Sequence, residues 1–155
     1  MALDMRQVTD GKKSHLDLLL LADEQQSMVD RYLGRGEMFV FADGDMVVGE
    51  CVVTDEGGGL CELKNIAVRP DCQRRGYGRE MIEGLLNHYA GRFDTMIVGT
   101  GDVPSTVGFY KSCGFVYSHR IPGFFADNYD HPIVEDGILL RDMVCFRRSI
   151  PCVTS

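Results

Sequence analysis

Apolar residues along the chain fall now at every second position, now at roughly 3.6-residue spacing, and the switches mark out the expected elements. Asp4 to Val8 predicts a first strand. Ser14 to Ala22 and Asp23 to Leu33 predict two helices, with Leu16, Leu19 and Leu20 followed by Met28, Val29 and Leu33 at helical spacing and Gly34 and Gly36 closing the second. Met38 to Thr54 reads as two strands about an Asp43-Gly44 turn, a hairpin signal because both residues accept the left-handed backbone a tight turn needs. Leu60 to Val68 is a short apolar run with Glu62, Lys64 and Asn65 let into it, bounded by Gly57 to Gly59 and by Pro70, and predicts a strand. A helix over Gly78 to Ala90 carries Met81, Ile82, Leu85, Leu86 and Tyr89 on one stripe and stops at Gly91. Asp94 to Thr100 predicts a buried strand, Ser105 to Ser112 a helix ending on Gly114, and a further strand follows. Ile121 to Gly137 reads as a loop and Ile138 to Arg148, which alternates, as a last strand.

At 155 residues, 45% of them hydrophobic and 25% charged, the composition is that of one globular domain spanning residues 1–155. The longest notable apolar run, Leu16 to Ala22, is far short of a membrane span and lacks the basic flank of a secretory signal. Six cysteines at 51, 61, 72, 113, 145 and 152 form no CxxC pair and no zinc-like cluster, which predicts no metal and a reducing, cytoplasmic setting. A net charge of -7 argues against nucleic acid as a partner, because phosphate backbones call for a basic face. Positive charge is gathered instead at Arg74, Arg75 and Arg79, a local cluster suited to a small anionic ligand.

That cluster sits in Gln73 to Gly78, QRRGYG, between the strand and the helix. Two glycines there permit turn conformations and close backbone approach just where a helix start presents amide groups without partners. The arrangement is an anion cradle, to which the helix dipole adds about 0.3 to 1 kcal/mol per charge. The spacing matches neither GxxxxGK[ST] nor GxGxxG, and a turn with a solvated basic edge is the plain alternative. A second glycine pair, Gly99-Thr100-Gly101, is followed by Pro104 at the position of a third glycine and lacks the rest of a dinucleotide-binding unit.

Taken as a string, VRPDCQRRGYG resembles the acetyl-CoA-binding motif of the GNAT (GCN5-related N-acetyltransferase) superfamily, V-x-P-x-x-[QR]-x-x-G-x-[GA], with Val68, Pro70, Gln73, Gly76 and Gly78 in register. TVGFYKSCGF is similar to the family's fourth-helix motif, A-x-x-[FL]-Y-x-x-x-G-F, through Phe109, Tyr110, Gly114 and Phe115, with Thr106 or Val107 where alanine is usual. The resemblance, from about Asp4 to Arg148, implies an α/β (α+β) fold: a mixed, splayed sheet of six to seven strands flanked by about four helices, with acetyl-CoA between the fourth and fifth strands. It implies cofactor contacts from Ile66, Ala67 and Val68 along the strand end and from Gln73, Arg74, Arg75, Gly76, Tyr77, Gly78 and Arg79 in the cradle. Where the family often has asparagine before its fourth helix, this chain has Asp102 to Ser105, so Ser105 is expected either to touch the cofactor or to cap the helix.

The activity implied is direct acetyl transfer, in a ternary complex, to a primary amine of a small-molecule or peptide acceptor; a non-catalytic acyl-CoA-binding or sensor module is the alternative. Such transfer needs a neutral amine, a stabilised oxyanion and a protonated thiolate. Glu62 stands six residues before Val68, where members of the family carry a general base, although an ion pair with Lys64 would equally explain it. The Val68 amide is the implied oxyanion donor. Tyr110 is the implied acid, with a packing role beside Phe109 as the alternative. Glu24, Gln25, Tyr32 and Arg35, together with Phe125, Asn128, Tyr129 and His131, are the expected acceptor-pocket candidates, and family members often form homodimers.

Overall fold

The computed structural model describes residues 3–152. In chain order the elements are β1 (Asp4–Val8), α1 (Leu16–Ala22), α2 (Gln26–Leu33), β2 (Glu37–Asp43), β3 (Met46–Gly57), β4 (Leu60–Val68), α3 (Tyr77–Tyr89), β5 (Thr95–Gly101), α4 (Pro104–Ser112), β6 (Val116–Ile121), α5 (Phe124–Asn128), β7 (Val134–Glu135), β8 (Ile138–Leu139) and β9 (Met143–Ser149). Seven strands make one sheet in the order β1-β2-β3-β4-β5-β9-β6, and β7 pairs with β8 as a separate hairpin. Among the described residues no helix is long and apolar enough to cross a membrane.

Side-chain alternation along the central strands explains the layers. Phe39, Phe41, Cys51, Val53, Cys61 and Leu63 turn to one face and bury Met81, Ile82, Leu85 and Tyr89 of α3 with Tyr110 of α4. Met38 and Val52 turn to the other face and bury Leu19, Val29 and Leu33 of α1 and α2. Each large side chain so buried contributes about 1.5–3 kcal/mol.

A slip of register shapes the site. Val52 pairs with Asn65 but Val53 pairs with Leu63, leaving Lys64 as an extra residue in β4. Such a bulge bends its strand. β4 and β5 run parallel and pair only from Leu60↔Thr95 to Leu63↔Val98. Past the bulge β4 follows β3 as far as Gly49↔Val68, whereas β5 follows β9 through Gly101↔Met143. The sheet therefore opens into a V. The Arg69 amide bonds the Val48 carbonyl at 2.7 Å, on the β3 side, so by strand alternation the backbone polar groups of Ile66 and Val68 face the gap.

Several boundaries differ from those the pattern predicts. The run Ile138 to Arg148 is two strands, because Leu140 turns in to bond the Ile133 carbonyl at 2.8 Å and Asp142 accepts the Gly123 amide at 2.9 Å. The supposed loop after Ile121 holds α5 and β7, anchored on a small core of Val103, Phe125, Ile133 and Leu140. Lys12–His15 form a 3-10 turn ahead of α1, and α2 begins at Gln26 rather than Asp23.

Glu50 lies in the middle of β3, fully buried, and neither carboxyl oxygen has a partner among the described residues. Burial holds its pKa well above the ordinary carboxyl value, so it folds as the neutral acid. The unfolded chain loses this proton near pH 4.3 and the folded one only at higher pH, so stability falls as pH rises through that window, by about 1.4 kcal/mol per unit. Glu50→Gln should flatten this loss and raise the thermal midpoint at pH 8 relative to the parent while leaving it nearly unchanged at pH 4. Melting curves at the two pH values check the sign.

Candidate active site

The V between β4 and β5 widens into a cleft of about 830 Å³. One wall is the bent end of β4, from Leu63 to Val68, and the opposite wall is β5 from Val98 to Gly101 with the start of α4. Gln73, Arg74, Gly76, Tyr77, Gly78 and Arg79 close one end, while Asp23, Glu24, Phe125, Tyr129 and Glu135 lie along other parts of the same cleft.

The cradle end follows from backbone geometry. Arg74 (φ 65°) and Gly76 (φ 81°) both take the left-handed conformation, which turns successive amides toward one concavity. The first bond of α3 runs from the Glu80 amide to the Gly76 carbonyl at 3.1 Å, so the preceding amides of the helix start take no part in its ladder. The two glycines serve different ends. A Cβ on Gly76 would meet nothing within 4 Å, whereas one on Gly78 would stand 3.0 Å from the Phe109 ring. Gly76 leaves room at the mouth of the helix, and Gly78 lets α4 pack against α3. Open space over a left-handed residue at a helix start, with Arg74 beside it, fits a diphosphate.

The side chains expected at this site divide. Ile66, Ala67, Val68, Gln73, Arg74, Gly76, Tyr77, Gly78, Arg79, Ser105 and Tyr110 all border the cleft, and Arg75 and Glu62 do not. The Tyr77 side chain is buried and donates to Asp43 at 2.8 Å, so what it offers the cradle is backbone. Gln73 folds back to donate to the Val68 carbonyl at 3.1 Å, and Arg79 donates to the Ser112 carbonyl at 2.8 Å, locking loop to strand and α3 to α4. Ser105 donates to Asp136 at 2.6 Å and Thr106 to Glu135 at 3.0 Å, pinning the β7–β8 hairpin over α4. The expectation that Ser105 caps that helix is corrected: α4 starts at Pro104 with Val103 as its cap residue.

Tyr110 is buried to 6% exposure, its ring edge-on to Phe109 and Phe115. Burial pushes its pKa well above that of an ordinary phenol, with Glu135 adding to the shift, so the hydroxyl keeps its proton. Glu62 is paired with Lys64 at 3.0 Å, two residues on along the same strand; Lys64 borders the cleft and Glu62 does not. Of the acceptor candidates, Glu24, Phe125 and Tyr129 border the cleft. Asn128 accepts from Arg31, Arg35 pairs with Glu56, Gln25 accepts the Asp130 amide, and His131 bridges Asp130 and Glu24.

A residue the sequence alone did not single out is Asp23. It accepts from Tyr129 at 2.7 Å and Tyr32 at 3.1 Å, and Asn65 in turn donates to Tyr32 at 3.0 Å. Burial raises the Asp23 pKa despite these bonds. No periodicity or spacing reveals a pairing 106 residues apart; its only sequence signal is an acid just after a helix.

Comparison with known proteins agrees with this geometry. Residues 34–117 match the family described as Acetyltransferase (GNAT) domain. The chain is 36% identical over 130 residues to the uncharacterized N-acetyltransferase YvbK of Bacillus subtilis, covering 83% of this chain and 84% of that protein. It superposes on a GNAT family acetyltransferase from Elizabethkingia anophelis, solved with acetyl-CoA bound, with a TM-score of 0.90 and 29% identity over 95% of this chain and 97% of that one. A Bacillus subtilis acetyltransferase solved with CoA gives 0.87 and 32% over 96% and 99%. The fold is thus shared with acetyltransferases solved with this cofactor, and the chain belongs to the GNAT family, as an N-acetyltransferase that uses acetyl-CoA.

Proposed function

We propose that the protein moves an acetyl group directly from acetyl-CoA to a primary amine, with both substrates bound together. The observation that carries this reading is one continuous cleft whose wall includes the cradle residues Arg74 and Gly76, the phenol of Tyr110 and an aromatic, acidic compartment around Asp23 and Tyr129. Bound acetyl-CoA would supply the acyl group and a thiolate leaving group. In this reading the amides about Gly76 and the Arg74 guanidinium hold the diphosphate, and the exposed β4 edge at Ile66 and Val68 receives the pantetheine as an added strand. The ammonium proton passes to solvent and the neutral amine attacks the thioester carbon. The Val68 amide stabilises the oxyanion, and as the C–S bond breaks the Tyr110 hydroxyl protonates sulfur and recovers the proton that the new amide nitrogen sheds. Glu62 acts on the cleft through Lys64, whose charge it holds in place.

An acyl-cysteine route is disfavoured by the thiols themselves. Cys113 is buried and its pKa raised by burial, which weakens it as a nucleophile. Cys72, the cysteine that borders the cleft, is only 1% exposed. The five buried free thiols support a reducing compartment such as the cytoplasm, and the charge of -7 supports acceptors other than nucleic acid. Initial rates measured over a matrix of acetyl-CoA and amine concentrations should give intersecting double-reciprocal lines. Parallel lines would mean a covalent acyl-enzyme and overturn direct transfer.

A further inference from the structure

Asp23 stands at the end of α1, where the chain turns toward α2, and borders the cleft. Its surroundings fix both its position and its charge requirement. Asn65 sits just past the β4 bulge, 3% exposed, and spends its amide donors on the Leu19 carbonyl and the Tyr32 hydroxyl, both at 3.0 Å. Tyr32, accepting from Asn65, directs its own proton to Asp23, and Tyr129 does the same from the other end of the chain. The Gln25 amide adds a third bond. A carboxylate has about four acceptor positions, so one is left.

All three of these donors are neutral. Among the described residues no lysine, arginine or histidine forms an ion pair with Asp23; the nearby Arg31 donates to Asn128 instead. A half-buried carboxylate held in one orientation by three uncharged donors, with one acceptor position open toward the cleft, suits a cationic donor. Around it the cleft is apolar and aromatic, with Leu21, Phe125 stacked on Tyr129 at 5.5 Å, Ile133 and Leu140. Glu24 and Glu135 border the same cleft; of its cations, Arg74 and Arg79 stand in the cradle and Lys64 is paired with Glu62, so the acids around Asp23 disfavour a second carboxylate.

We propose that Asp23, oriented by Tyr32 and Tyr129, receives the ammonium group of the acceptor, and that the acceptor is a primary amine on an apolar body without a carboxylate, such as an arylalkylamine. This rests on the N-acetyl transfer proposed above and names the substrate class of that site.

The test uses the full chain and three probes: 2-phenylethylamine, phenylalanine, which adds a carboxylate, and aniline, which is uncharged at pH 7.5. The parent should acetylate 2-phenylethylamine at least about tenfold more efficiently than phenylalanine. Asp23→Asn should raise KM for 2-phenylethylamine by about 10- to 100-fold, the range expected for a lost bond to a charged group. It should leave KM for aniline and the dissociation constant of acetyl-CoA within about twofold. Tyr129→Phe, which keeps the ring and removes one donor, should give a smaller rise of the same selectivity and guards against a folding failure of the first variant. Equal KM values for 2-phenylethylamine in parent and Asp23→Asn, or an equal preference for phenylalanine, would overturn the assignment while leaving acetyl transfer intact. Acetyl-CoA binding with no thiol released by any amine would sink both it and the transfer reading.

Discussion

Gly76→Asp is expected to abolish acetyl-CoA binding while leaving the fold intact. The residue has φ 81° and open space beyond its Cβ position, so an aspartate side chain collides with nothing in the protein. Aspartate tolerates the left-handed region better than most residues, and the backbone strain costs only about 1–2 kcal/mol. Its carboxylate, however, would stand where the diphosphate is received. Two like charges about 4 Å apart at a protein surface repel by about 4 kcal/mol, roughly a thousandfold in affinity. Calorimetric titration with acetyl-CoA should show no measurable binding, with a thermal midpoint within a few degrees of the parent. Affinity equal to the parent's would contradict the cradle. Gly78→Ala makes a useful contrast, since its Cβ would press on Phe109 at 3.0 Å and disturb the α3–α4 contact.

Tyr110→Phe is expected to do the opposite, sparing binding and lowering turnover. The ring contacts with Phe109 and Phe115, at 5.3 and 5.8 Å between centroids, survive the change, so only the hydroxyl is lost. Positioned proton donors contribute about 10²–10⁴-fold, and kcat should fall within that range while the acetyl-CoA dissociation constant stays within about twofold. Because burial pushes the phenol pKa above its ordinary value, the parent's rate should also show no falling limb from phenol ionisation near pH 10. Single-turnover rates for the two proteins measure the first effect, and a pH–rate profile the second. Unchanged turnover in the variant would leave Tyr110 as a packing residue.

What could be read from the sequence was what depends on near neighbours. The hairpin at Gly44, the strand ending at Val68, the glycines at 76 and 78 and the helix ending at Gly114 all owe their conformations to residues within a few positions, and each is where the pattern puts it, except that Asp43 stays in β2 opposite Met46 and the turn is Gly44-Asp45. The GNAT resemblance at Val68–Gly78 and Phe109–Phe115 supplied the sheet that opens between the fourth and fifth strands, which periodicity alone does not. Less legible was whatever turns on register or distant partners. The Glu62–Lys64 pair is one of two readings the strand pattern allows, but the extra residue at Lys64, which resets the alternation for Asn65 to Val68, leaves no local signal. Ser105 has the composition of a helix cap, yet Asp136, 31 residues on, takes its hydroxyl. Alternation through Ile138–Arg148 conceals a turn, since Leu140 is apolar for a third core cluster and not for the sheet. Asp23 joins Tyr32, Tyr129 and Asn65 only after folding brings four separate segments together.

Amide hydrogen exchange with and without coenzyme A tests the placement of the cofactor most directly. Protection should appear at Ile66 and Val68 on the open edge of β4 and at residues 74–79 of the cradle, with little change along β1 or β6. Protection confined to other segments, with residues 74–79 exchanging as fast as in the free protein, would contradict it.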